Sequence, residues 1–389
     1  MHSKPTRNTL FLLVLSTLLV VISTNLANAT PVGLRSKTAV KQSKWTETGQ
    51  LSNPRMYQAA SLSPDGKVLV SGGIGDDVCS TGELYDPTTK NWTKTLGMTD
   101  CRWFHTSTTL KNGKVLIAGG YADSSAPLNN VKDPMSQCEL YEASTGFWIP
   151  TNQMNVKRCF HTATLLRNGN VLVVGGSDSQ PNTAEIYDPK MESWTQTTNL
   201  QYGRKWHAAA ALKNGNVLVT GGYDIPLNTI DNAELYDSST GTWKVVASMK
   251  YKRYLHTLIL LTNGKVLAVG GIDDNNDVLN TTELFDPSTE TWTITGAMVR
   301  GRFGHAASLL NNGKVLVSGG QDDTGASSDN AELYDSATEK WTSTNSMHYK
   351  RQSHTATVLA DGNVIVIGGN DVDHGAQVTP EIYSLSTDA

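Results

Sequence analysis

Charge is scarce in this chain. Asp, Glu, Lys and Arg supply 17% of its 389 residues, below the roughly 25% usual for soluble domains. Its polar surface must rest on Asn, Ser and Thr instead. No block of like charge occurs and the formal net charge is only -4. A nucleic-acid or anionic-membrane partner is excluded on that ground. Long apolar runs are missing too, with one exception at the N-terminus.

That exception has the grammar of a secretory leader. Lys4 and Arg7 precede an apolar run from Leu10 to Ile22, broken only by Ser16 and Thr17. Ala27-Asn28-Ala29 then places small residues where a signal peptidase reads. The run is short for a membrane span of about 20 residues. The expectation is a signal peptide over residues 1–29, a linker over 30–43 and a single domain over 44–389. Cleavage removes Lys4 and Arg7, so the mature charge becomes -6. A secreted, extracellular protein with no membrane insertion follows.

Glycine, in contrast, is plentiful at 34 residues, and it is periodic. Double glycines begin at 72, 119, 175, 221, 270, 319 and 368, spaced by 47, 56, 46, 49, 49 and 49. Each follows an Asn-Gly or Asp-Gly pair and a short apolar run. Each precedes a triplet beginning at Glu83, Glu139, Glu185, Glu234, Glu283, Glu332 or Glu381. Nine residues beyond the Glu stands a tryptophan: Trp92, Trp148, Trp194, Trp243, Trp292 and Trp341. Repeats near 50 residues indicate propellers or solenoids. Asn-Gly suits a two-residue hairpin with positive φ at both central positions. The apolar run reads as a strand covered on both faces. The Glu triplet reads as a third strand and the Trp segment as a fourth. We label these strands A to D.

Double glycine, Tyr and Trp at these distances resemble the kelch repeat. The resemblance covers residues 45–384 and implies an all-β, seven-bladed β-propeller of four-stranded antiparallel blades. The seventh repeat ends at Ala389 without its Trp, whereas Trp45 precedes the first repeat. The N-terminal strand around Lys44 to Thr48 is therefore expected to complete the last blade and remove exposed edges.

Alternating strand direction puts the start of A, the B–C loops and the D–A loops on one face. Variable loops on a rigid scaffold are where function concentrates; the longest here is the second B–C loop, Tyr121 to Gln137. Arginine opens each A strand, at 55, 102, 158, 204, 253, 302 and 351, and six are followed at +3 by histidine. Repetition in every blade reads first as stitching between blades. The aspartates after the glycines read as partners of those arginines, with weak calcium binding the one cofactor chemistry left open. Aromatics between Arg and His do not repeat and so carry more information. The candidate binding set is Trp103, Trp206, Tyr57, Phe104 and Phe160, with Arg102, Arg158, Arg204 and Arg253 beside them.

Four cysteines in a secreted chain predict two disulfides. Cys79 and Cys101 on one side, and Cys138 and Cys159 on the other, are related by nearly one repeat. The expected bridges are Cys79–Cys101 and Cys138–Cys159. Sequons stand at Asn91 and Asn280.

Kelch propellers host enzymes as well as adaptors. The galactose oxidase family places a Tyr before a copper-binding His. No Tyr-His dipeptide exists here, so the likeness stops at the scaffold and no metal is expected. The reading is a monomeric, secreted, non-catalytic module that binds a protein or glycan at the loop face. The alternative is a carbohydrate-active enzyme of the sugar isomerase or mutarotase type.

Overall fold

The computed structural model describes residues 44–122, 134–177, 179–224 and 228–385. The leader and linker expected over 1–43 lie outside them, as does most of the second B–C loop. Among the described residues there is no helix long and apolar enough to cross a membrane.

Among the described residues seven four-stranded antiparallel sheets form the ring, and three two-stranded ribbons accompany them. In blade 1 strand A is Ala59–Leu62, B is Val68–Ser71, C is Gly82–Asp86 and D is Asn91–Lys94. The A strands of blades 2 to 7 begin at Thr106, Thr162, Ala208, Thr257, Ala306 and Thr355. Each A strand touches the A strands of both neighbouring blades, and blade 7 touches blade 1, so the ring closes. The closure is the one expected. Lys44–Glu47 pairs with Glu381–Ser384, Trp45 opposite Tyr383, as strand D of blade 7.

Every residue of every B strand is buried, because neighbours cover both faces. Apolar clusters between consecutive blades, such as Leu172, Val174, Val217 and Val219 between blades 3 and 4, form the core. The D-strand tryptophans seal the seams. Each stacks on a Tyr or Phe of its own strand C, for example Trp194 on Tyr187 at 5.0 Å. Its indole N–H then donates to the preceding blade, Trp194 to the Asn152 carbonyl at 2.8 Å.

The A–B hairpins differ from expectation. Only the glycine has positive φ, as at Gly113 (φ 87). Gly113 N–H donates to the Leu110 carbonyl, and Leu110 N–H to the Lys114 carbonyl. This is a three-residue connection built on a type I turn with glycine in the left-handed position. Asn112 accepts from the Lys114 N–H with its side chain instead of adopting positive φ itself.

Candidate functional site: the loop face and the channel mouth

The seven arginines are withdrawn from the face. Arg102, Arg158, Arg204 and Arg253 are fully buried, and so are Arg55, Arg302 and Arg351. Each guanidinium turns inward to the Glu that opens the strand-C triplet of its own blade. Arg102 meets Glu139 at 2.8 Å, Arg158 meets Glu185 at 3.0 Å, and Arg204 and Arg253 meet Glu234 and Glu283 at 2.8 Å. A second guanidinium nitrogen donates to the first glycine's carbonyl, as Arg204 does to Gly221 at 2.9 Å. The Glu uses its remaining oxygen on the D–A loop, where Gln201 N–H donates to Glu234 at 2.8 Å. The four arginines proposed as binding residues are therefore internal struts, and the partner common to all is glutamate; Arg102 also lies 3.6 Å from Asp100 of the D–A loop. Burial lowers the Arg204 pKa, and Glu234 opposes that shift.

The histidines are struts between blades. His105 Nε2 shares a hydrogen bond with Ser71 Oγ of blade 1 at 3.0 Å, and His207 Nε2 does so with Thr162 Oγ1 of blade 3 at 2.9 Å. Gln58, the first blade's substitute, donates to the Ile367 carbonyl of blade 7 at 2.8 Å. Burial, with the nearby arginines adding to it, pushes His161 and His305 down to about 3 and the other four well below the usual imidazole range. The first glycine of each pair makes room for this. A Cβ at Gly72 would sit 2.4 Å from the Arg102 carbonyl oxygen and 2.7 Å from His105 Cε1.

Between Arg and His the chain builds two layers. The residue after Arg is buried in every blade: Met56, Trp103, Cys159, Lys205, Tyr254, Phe303 and Gln352. Trp103 is only 5% exposed and lies against Tyr121, ring centroids 5.1 Å apart. Its ring is withdrawn from solvent, so it belongs to the packing beneath the mouth rather than to an exposed binding set. The residue before His is half-buried and left-handed in every blade: Tyr57, Phe104, Phe160, Trp206, Leu255, Gly304 and Ser353, with φ between 53 and 59. Backbone hydrogen bonds link these residues from blade to blade, as from Trp206 N–H to the Phe160 carbonyl and from Leu255 N–H to the Trp206 carbonyl. Tyr57, Phe104, Phe160 and Trp206 stack in sequence at 4.2, 4.3 and 4.6 Å, an aromatic arc across four blades. Burial pushes the Tyr57 phenol up to about 12 against a hydrogen bond with Ser353. Leu255, Gly304 and Ser353, which complete the ring, were not singled out from the sequence; their place directly before His was the available signal.

The KLHDC2/KLHL20/DRC7 Kelch-repeats domain family matches residues 206–389, and Kelch motif families match residues 55–98 and 158–201. The chain belongs to the kelch-repeat family. No curated protein sequence matches it. Among solved structures, this kelch propeller is similar to a fungal alcohol oxidase of the AA5 family in complex with copper, with a TM-score of 0.71 at 18% identity, covering 88% of this chain and 76% of that one. At that identity the likeness shows the fold alone. The residues here do not fit a copper centre: the kelch histidines spend Nε2 on Ser and Thr hydroxyls of neighbouring blades. Among the described residues no group of three or more His, Cys, Asp or Glu is placed to hold a metal ion.

The described loop aspartates mostly shape their own loops. Asp273 accepts from the N–H groups of Asn275 and Asp277, both at 2.8 Å, and Asp322 from the Thr324 N–H and hydroxyl. Asp123 and Asp178 lie outside the described residues.

One of the two expected bridges forms. Cys79 is bonded to Cys101, held together by the Arg102 N–H donating to the Cys79 carbonyl at 2.9 Å. Cys138 and Cys159 are not joined. The equivalent hydrogen bond in the next blade runs from Arg158 to Met135, so Cys138 lies three residues beyond the position of Cys79. Cys159 follows its arginine, whereas Cys101 precedes one. Cys138 points into the core between blades 2 and 3, and burial pushes its thiol up to about 12; Cys159 packs on Trp103 and Tyr121.

Proposed function

We propose that this kelch propeller is a secreted, non-catalytic binding module that holds a protein or glycan at its loop face, over the channel mouth. One observation carries the reading. Positive φ costs a bulky residue on the order of 1–3 kcal/mol, and such strain concentrates at functional sites. Gly304 fills the same position in blade 6 without strain, yet four other blades keep Tyr, Phe, Phe and Trp there. Mutual stacking returns only about 0.5–1.5 kcal/mol per pair. Large aromatic rings held at a mouth are what a recognition surface uses. The leader-like N-terminus and the Cys79–Cys101 bridge support an oxidising, extracellular setting.

The test replaces Phe104 and Phe160 together by Gly, which fits the backbone. Wild type and the Phe104→Gly, Phe160→Gly variant are compared on a broad glycan array and by cross-linking to cell-surface proteins. The variant should melt within a few degrees of wild type and lose its ligand. Retained binding by a folded variant would sink the proposal.

A further inference from the structure

The formal charge of the whole chain hides a difference between its two faces. Among the described residues, the B–C and D–A loops carry thirteen aspartates against six lysines and arginines, leaving the seven internal Arg–Glu pairs aside. The opposite end and the outer strands carry twelve acids against thirteen bases. The net negative charge is therefore concentrated on the face that holds the aromatic arc. Much of it is open to solvent, as at Asp76, Asp323 and Asp373. At the rim between blades 5 and 6 a mostly polar cleft of about 370 Å³ is bordered by Val278, Val299, Arg300, Asp322 and Asp323; Arg300 lies 3.9 Å from Asp322, and Asp323 is exposed.

From this distribution we infer that the partner is a basic segment of a protein, with an apolar side chain on the arc and Lys or Arg side chains over the acidic rim. The inference rests on the preceding reading of this face as the binding surface. An apolar centre within a rim of net negative charge selects for both properties at once. A neutral glycan could hydrogen-bond to the rim carboxylates but would gain no charge attraction from them, and an acidic partner would be repelled. Lysine and arginine bury their methylene stems while keeping the charge in water, so a stem can lie on Val278 and Val299 with its head toward the exposed Asp323. Complementary charge acts on encounter rate and specificity, and it weakens with salt.

The experiment uses the full chain and three labelled peptides of equal length. One is lysine-rich with a single Trp, one has Glu for every Lys, and one keeps Lys but has Gly for Trp. The Lys/Trp peptide should bind at least about tenfold more tightly than either control, and about tenfold more weakly in 0.5 M than in 0.05 M NaCl. An Asp76→Asn, Asp323→Asn, Asp373→Asn variant should weaken it several-fold with Tm unchanged. Equal binding of the Glu peptide, salt-independent binding, or no binding of the Lys/Trp peptide overturns the inference. A neutral glycan lost on Phe104→Gly, Phe160→Gly but indifferent to the Asn variant would also overturn it while leaving the binding module standing. If the double glycine variant changes nothing either, the proposed function falls with it.

Discussion

Glu234→Ala isolates what the buried pairs contribute. Glu234 is 1% exposed and accepts from Arg204 at 2.8 Å, Gln201 N–H at 2.8 Å and Tyr202 N–H at 3.2 Å. Its removal strands a guanidinium that is wholly buried and still tied to the Gly221 and Asn232 carbonyls. Losing one partner of a buried ion pair costs about 3–5 kcal/mol. The two loop N–H groups are less buried, and water replaces part of their loss. We expect about 4 kcal/mol, or roughly 5–10 °C in Tm for a domain of this size, read by chemical denaturation and calorimetry. The control is Glu290→Ala, which breaks the exposed Lys244–Glu290 pair at 2.6 Å. Exposed pairs contribute about 0–1 kcal/mol, so this variant should be close to silent. If Glu234→Ala melts like Glu290→Ala, the pairs are not struts and the account of the seven arginines is wrong.

Three further expectations accompany it. In the folded chain His161 and His305 take a proton only near pH 3, against about 6.5 when unfolded. The unfolded chain therefore binds more protons between those values, and stability should fall as pH drops below about 6.5, by up to about 1.4 kcal/mol per pH unit for each such histidine. His161→Gln, copying Gln58 of blade 1, should flatten the Tm-against-pH curve; an unchanged slope refutes the assignment. Deleting residues 44–50 removes the D strand of blade 7 and Trp45, which is 3% exposed. The truncated chain should open and aggregate by light scattering, and a normal melt would contradict the closure. Peptide mapping should find Cys79 joined to Cys101, with Cys138 and Cys159 alkylated only after unfolding. Reducing the bridge, whose cysteines are 22 residues apart, should cost about 3 kcal/mol.

The repeat was legible because its markers act locally or through neighbours of fixed offset. Glycine in the A–B turn, apolar runs between two sheets and Trp at a seam leave the same trace seven times. The closure was legible for the same reason, since one repeat lacked a strand that the N-terminus supplied. The site was less legible. Spacing alone could not say whether Arg204 meets a loop aspartate or Glu234, because both lie within reach along the chain. Nor could it separate Cys138 from the position of Cys79, since a three-residue offset is small against a repeat near 50.

The amino-acid sequence by itself thus determined the all-β ring, its seven blades and the strand that closes it, because these follow from periodicity and strand pairing. Only the tertiary structure decided which neighbouring side chain faces outward. Trp103 and Phe104 are adjacent in sequence, yet one is buried against Tyr121 and the other lies in the ring at the mouth. The difference arises from a left-handed turn of the backbone at the second residue. That turn is imposed by hydrogen bonds and packing from the next blades rather than by the residue itself, as Leu255, Gly304 and Ser353 in the same conformation make plain.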